Sequence, residues 1–375
     1  MRRFALLALL AALLLPLGGC TLTVYNSYRD IESLEVVQAI GLDSSAGGVT
    51  LSAATGPDAS GREPLRLTQY GESLDAAMRS MEQLAGGGTL FFSGTGAIVL
   101  GASAAAESAR WLDALARSKE LRLDTEMYVL RSGPAEDFVA GENAPEDVFA
   151  DLDALAKRCG EDGPATVPTC ADVSRSLIEN GAALSQAIEK AEGPEGKYTA
   201  VPAGYCVLTP EGVAGWLDED AALGAGLLMG GPGTSVVELP GGVTAELAGA
   251  KVSVEAVWDG GSLTALEVSA DIRGSVIEAP AGSDLDSEAA WEALESELAE
   301  KLLGCLRDAL DASQALEADF LGLGRMVESA HPVKFAALGG GWDSIFPGLE
   351  IRVSGGAEIV NMREYSRSPY EEAGR

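Results

Sequence analysis

Val252-Ser-Val-Glu-Ala-Val-Trp-Asp-Gly-Gly-Ser-Leu-Thr-Ala-Leu-Glu-Val-Ser-Ala-Asp-Ile272 decides the fold of the carboxy-terminal half. Val252, Val254, Ala256 and Trp258 alternate with more polar neighbours, Asp259-Gly260-Gly261 supplies a turn, and Leu266, Val268, Ala270 and Ile272 alternate back. Period-two alternation on both sides of a glycine turn predicts a β-hairpin with one apolar face. That face needs a cover, and the next periodic segment offers one. Trp291, Leu294, Leu298, Leu302, Cys305, Ala309, Ala312 and Leu316 step by three or four. Such spacing predicts a helix of about seven turns, begun near Asp286 or Ser287 and ended before Gly322. A last alternating strand, Leu349, Ile351 and Val353, is expected to turn at Gly355-Gly356 into 357–360. The fold class is therefore α+β, with a carboxy-terminal antiparallel sheet covered by one long helix.

Upstream, the pattern suggests several small mixed α/β units in sequence. Apolar runs at 34–42 and 49–54 flank Asp43-Ser-Ser-Ala-Gly-Gly48 and predict a strand pair, and a third strand follows at 64–70. Leu74, Met78, Met81 and Leu84 recur at helical spacing before Gly86-Gly-Gly88 stops them. A strand at 95–100, a helix near 104–118 carrying Trp111 and Leu115, and a strand at 126–130 complete this unit. From 134 to 191 the pattern is helical, with breaks at 160–168. Gly193-Pro-Glu-Gly196 reads as a linker. Strand-like 201–208 follows it, then glycine-interrupted apolar runs at 212–233 and a Pro240-Gly-Gly turn within 236–243. The expected domains are 20–195, of α/β type, and 196–375, of α+β type, with a further division near 245. Residues 1–19 precede them as a signal.

That signal opens with Arg2 and Arg3, continues through an apolar run from Phe4 to Leu17 too short to span a bilayer, and closes on small residues before a cysteine. Leu17-Gly18-Gly19-Cys20 resembles the bacterial lipobox. The resemblance implies diacylglycerol on the Cys20 sulfur, cleavage before it and acylation of the new amino terminus. One acyl chain gives only reversible membrane binding, whereas two or more hold stably. The body would then sit on an extracytoplasmic membrane face.

Net charge is −31 over 375 residues, and more negative still once Arg2 and Arg3 are removed. Phosphate backbones and anionic headgroups would repel such a body, which excludes nucleic acid binding and broad peripheral contact with lipid. Lipidation uses Cys20 and leaves Cys159, Cys170, Cys206 and Cys305. Two readings stand. A disulfide between Cys159 and Cys170 would close the polar loop Gly160-Glu-Asp-Gly-Pro-Ala-Thr-Val-Pro-Thr169 for about 3 kcal/mol. Alternatively all four stay reduced, and Cys305 on the apolar helix face is a core residue. No spacing suggests a metal or a cofactor.

Three regions together resemble the Ger(x)C family, the lipoprotein C subunits of bacterial spore germinant receptors. The first is the lipobox followed by Tyr28-Arg-Asp-Ile-Glu-Ser-Leu-Glu-Val-Val-Gln-Ala-Ile-Gly-Leu-Asp43, in which Arg29 and Asp43 fall on motif positions. The second is Gln69-Tyr-Gly-Glu-Ser-Leu-Asp75, carrying Gln69 and Gly71, which leads through a helix to Ile98-Val-Leu-Gly101. The third is Ala318-Asp319-Phe-Leu-Gly-Leu-Gly324, then His331-Pro-Val-Lys-Phe335, Trp342 and Phe346, with Asp319, Gly324 and Trp342 as motif positions. Two departures stand out. Thr21-Leu-Thr-Val-Tyr-Asn-Ser27 replaces the family's Trp-Asp after the lipidated cysteine, and Lys334-Phe335 replaces a Trp-Lys pair near the end. The resemblance implies a non-enzymatic, lipid-anchored subunit on the outer face of the inner spore membrane, acting in nutrient-triggered germination. Its partners would be membrane-embedded receptor subunits of the A and B types.

Catalytic chemistry finds little support. His331 is the only histidine, and no Gly-x-Ser-x-Gly elbow or reactive cysteine context accompanies it. Beside a helix end it has a structural role to play, as cations suit that terminus. With 57 Asp and Glu residues, carboxylate pairs are too common to mark a glycosidase. Asp319, with Gly322 and Gly324, caps or turns the chain after the long helix, and Trp258, Trp291 and Trp342 read as core anchors. The rival class is a solute-binding lipoprotein of a transporter, which would require two doubly wound parallel lobes around a cleft.

Overall fold

The computed structural model describes residues 34–57, 64–86, 88–161, 167–230, 235–280 and 287–362. Cys20 and Arg29 therefore lie outside the described residues.

Among the described residues, thirteen strands form two sheets, accompanied by eleven α-helices. The strands are β1 (Leu34–Ser45), β2 (Gly48–Thr55), β3 (Arg66–Gly71), β4 (Thr89–Phe91), β5 (Ala97–Leu100), β6 (Glu126–Leu130), β7 (Ala183–Glu192), β8 (Tyr198–Thr209), β9 (Gly212–Leu217), β10 (Val236–Leu239), β11 (Val243–Asp259), β12 (Ser262–Glu278) and β13 (Glu350–Met362). The helices are α1 (Leu74–Glu82), α2 (Ala102–Ala105), α3 (Ser108–Arg117), α4 (Ala135–Val139), α5 (Val148–Glu161), α6 (Cys170–Asn180), α7 (Glu219–Leu228), α8 (Glu288–Ala315), α9 (Leu323–Ala330), α10 (Pro332–Ala336) and α11 (Trp342–Ile345).

The first sheet runs β3-β2-β1-β5-β6-β7-β8-β9, with β4 beside the start of β1. It is mixed: β1, β4, β5, β6 and β7 are parallel, and hairpins extend it antiparallel at both ends. Both faces are covered. Ile98, Leu100, Met127 and Val129 pack with α1, α3 and α6 on one side. Ala97, Val99, Tyr128 and Leu130 pack with α4 and α5 on the other. Helix starts are set by local polar residues. Ser73 caps α1, Asp218 caps α7, and Thr169 with Asp172 forms a reciprocal capping box on α6.

The second sheet, β10-β11-β12-β13, carries α8 on its inner face. The hairpin forms, with Val254 opposite Val268 and Val252 opposite Ala270 after a register shift between Val257 and Trp258. Ser287 caps α8, and Leu298, Leu302, Cys305, Leu306 and Ala309 are buried along it. Trp291 is only partly buried at the edge of this core. The same core takes in Leu184, Tyr205 and Leu217 from the first sheet, and α7 lies between the two sheets.

Four expectations need correction. The segment 134–191 is not helical throughout, because 183–192 forms β7. Ala183 to Ile188 are all buried between β6 and β8, and a strand covered on both faces loses its period-two signal. Gly193-Pro-Glu-Gly196 is not a linker: it turns the β7–β8 hairpin, with Glu192 opposite Tyr198. Third, β13 does not turn at Gly355-Gly356. It runs on as one strand, and Gly355 (φ 154°) sits where a Cβ would overlap the carbonyl of Ala270 on β12. Finally, β13 is parallel to β12, so the second sheet is antiparallel in only three of its four strands. A parallel neighbour needs a crossover that returns the chain to the same end, and α8 with the short helices after it makes that return.

Candidate functional site

The motif residues assemble into three internal braces, of which those at Asp43 and Asp319 reach 92 and 23 residues along the chain and that at Gln69 and Gly71 joins neighbouring segments. Asp43 closes the buried stretch of β1. Its Oδ1 accepts the Ala135 N–H and its Oδ2 the Glu136 N–H, both at 2.9 Å. These are the first donors of α4, whose own N-cap, Pro134, has no side chain to offer them. Gly101, at the end of β5, lies against the same carboxylate, and a Cβ there would overlap it. Burial pushes the Asp43 carboxyl up, while the two backbone N–H bonds pull it back. One side chain thus holds β1, β5 and α4 in a fixed arrangement.

Gln69 and Gly71 form the second brace. Ser80 on α1 donates to Gln69 Oε1 at 3.1 Å. A Cβ on Gly71 would overlap the backbone of Ala77, so glycine lets α1 lie close over the end of β3.

Asp319 forms the third. Its Oδ1 accepts the Leu323 N–H at 2.8 Å, and its Oδ2 accepts the Gly324 N–H at 2.7 Å and the Trp342 indole N–H at 3.0 Å. Gly324 lies under the indole, where a Cβ would stand 2.8 Å from Trp342 Nε1. Trp342 in turn stacks on Phe346, with ring centroids 5.4 Å apart. Burial raises the Asp319 carboxyl, and the N–H groups of Gly324, Leu323, Trp342 and Gly322 oppose that rise. All three motif residues of this region therefore meet at one point, between the end of α8 and the start of α9.

Cys159 and Cys170 do not form a bridge. Cys159 packs with α5 on one face of the first sheet, Cys170 on the other, and all four described cysteines are free and buried. Burial pushes the thiols of Cys170, Cys206 and Cys305 up to about 12, which makes them inert as nucleophiles. His331 stands between α9 and α10, and its ring meets Trp258 edge to face at 5.8 Å. Lys334 lies over the same indole at 5.2 Å. Nothing in this contact resembles a nucleophile–base pair. Gly94 and Gly96 turn the chain into β5, with the Gly96 N–H on the Gln38 carbonyl, while most of the Gly230-Gly-Pro-Gly233 run lies outside the described residues.

The solvent face of the second sheet carries a shallow cleft of about 540 Å³ between β11, β12 and β13. Lys251 and Arg273 line it together with Asp271 and Glu358, so it presents no charge of a single sign. Two arrangements escaped the sequence. A Cβ on Gly224 of α7 would overlap the Cys305 carbonyl of α8, so the helices touch backbone to backbone there. Beside that contact, Lys301 bonds both oxygens of Asp220 at 2.7 and 2.8 Å. The small residues Gly224-Ala-Gly226 in an apolar run were the available signal.

In the braces each carboxylate oxygen of Asp43 and Asp319 accepts at least one hydrogen bond, from backbone N–H groups and, at Asp319, from the Trp342 indole as well. Among the described residues no helix is long and apolar enough to cross a membrane, and no group of His, Cys, Asp or Glu is set to hold a metal ion.

Comparison with known proteins agrees with this geometry. Residues 27–190 match a family model described as the spore germination protein N-terminal domain, and residues 203–362 match one described as spore germination B3/GerAC like, C-terminal. In fold the chain is similar to the crystal structure of the GerBC protein, with a TM-score of 0.53 at 16% identity, covering 86% of this chain and 97% of that one. The comparison with curated proteins gives no match. The two family models, matched in order over most of the chain, place it in the GerAC-like family of spore germination proteins.

Proposed function

We propose that this chain is the lipid-anchored C subunit of a spore germinant receptor, attached through Cys20 and working by docking with membrane-embedded subunits of the A and B types. The observation that carries this reading is the pair of family matches, which runs from residue 27 to residue 362. The braces support it: Asp43, Gln69, Gly71, Asp319, Gly324 and Trp342 shape the body, as suits a docking subunit better than an enzyme. Acyl chains would confine that body beside its partners and raise its effective concentration there. The rival solute-binding reading requires two parallel lobes, whereas this chain has one mixed sheet and a second sheet that is mainly antiparallel.

Deleting the protein in its spore-forming host, with no sister receptor present, should impair germination by nutrients and leave non-nutrient triggers intact. Pull-down from spore membranes should recover a multi-spanning subunit. Normal nutrient germination in that strain would overturn the reading.

A further inference from the structure

The parallel strands of the first sheet all begin on one edge of the molecule. Ala39, Ala97 and Glu126 lie in one row across β1, β5 and β6, and β4 runs beside the start of β1. Everything that feeds these strands therefore gathers at that edge: the turn after α1, the loop between α3 and β6, the last turn of α6, and the chain entering β1 at Leu34.

Four large apolar side chains are exposed around this entry. Ile178 in the last turn of α6 is 85% exposed, Leu84 after α1 53%, Val36 near the start of β1 41%, and Leu123 before β6 36%. They sit on four different segments, and the chain that would carry the lipid enters β1 at the same edge. Separate apolar tips set around the point where a tether enters suit a fluid surface that conforms to each of them. Exposed Glu82, Asp124 and Glu179 offset exposed Lys119 and Arg122 on these segments, so charge does not draw this edge to lipid and the contact is confined to the apolar tips beside the tether, short of the broad peripheral contact that the net charge excludes.

We propose that this edge is the face that rests on the bilayer, with Val36, Leu84, Leu123 and Ile178 entering the interfacial layer; the proposal builds on lipid attachment at Cys20. Residues 21–33 span at most about 45 Å when extended, so the anchor by itself allows many orientations. The apolar tips select one of them, as partly buried apolar side chains do for interfacial proteins.

The test uses the chain from Cys20 onward, coupled through the Cys20 thiol to phosphatidylcholine vesicles bearing maleimide lipid. The other four thiols are buried, so coupling is confined to position 20. Hydrogen exchange at 83–86, 119–124 and 175–181 is expected to slow on the vesicle relative to solution, with the β1–β2 turn at 45–48 on the opposite edge unchanged. Leu84→Glu together with Ile178→Glu, both at exposed positions, is expected to restore solution rates while the chain stays coupled. Unchanged exchange at these segments, or equal protection of 45–48, would overturn the proposal. Natural lipidation is read separately, by fractionating a Cys20→Ala strain, so its failure is distinguishable from failure of the face.

Discussion

The indole N–H of Trp342 donates to Asp319 Oδ2 at 3.0 Å, at a carboxylate that also takes the backbone N–H groups of Leu323 and Gly324. Residues 23 positions apart are thereby locked, and the short helices after α8 are held over the second sheet. Replacing Asp319 by Ala leaves three buried donors without an acceptor. We expect a loss of about 3 kcal/mol or more in urea unfolding. Trp342→Phe removes one donor and keeps most of the packing, and should cost about 1–2 kcal/mol.

Asp43 and Asp319 are both raised by burial, which sets the sign of a pH effect. The unfolded carboxyls lose their protons near pH 4, before the folded ones do. Between that value and the raised folded value the native state binds more protons, so stability from these two groups falls as pH rises and then levels off. Urea midpoints measured from pH 4 to neutral, wild type against Asp319→Asn, should differ in slope across that window and run parallel above it.

Gly101→Ala places a methyl group in the Asp43 carboxylate, and Gly324→Ala places one against the Trp342 ring. Each should destabilise by about 1–3 kcal/mol. In Gly101→Ala, amide exchange at Ala135 and Glu136 should accelerate, because the displaced carboxylate no longer caps α4.

Glu317 closes α8 with φ 51°, a left-handed conformation that costs a residue bearing a Cβ. Glu317→Gly should stabilise the protein by about 1 kcal/mol, seen as a higher thermal midpoint.

The four thiols at Cys159, Cys170, Cys206 and Cys305 should resist alkylation in the native body and react together in denaturant. Intact mass without reductant should match four free thiols. A mass two hydrogen atoms lower would show one disulfide, and a peptide map joining Cys159 to Cys170 would restore that bridge.

Local pattern determined much of this protein. The β11–β12 hairpin and α8 were readable because each has one buried face, and a half-buried element writes its period into the sequence. Most elements up to β6 followed from the same rule, although the three-residue β4 is too short to show a period and 102–117 divides into two helices where one was expected, and the motif residues Asp43, Gly71, Asp319 and Trp342 could be named before any contact was known. Other features were decided only by tertiary structure. Strand β7 is buried on both faces, so its alternation vanishes, and the direction of β13 depends on where α8 and its followers deliver the chain. The reason Asp43 sits where it does lies 92 residues away at Ala135, and that of Asp319 in part at Trp342. The two cysteines nearest in sequence lie on opposite faces of a sheet, a separation that spacing along the chain cannot express. Periodicity reports which face of an element is covered, whereas the partner that covers it is chosen by packing over the whole fold.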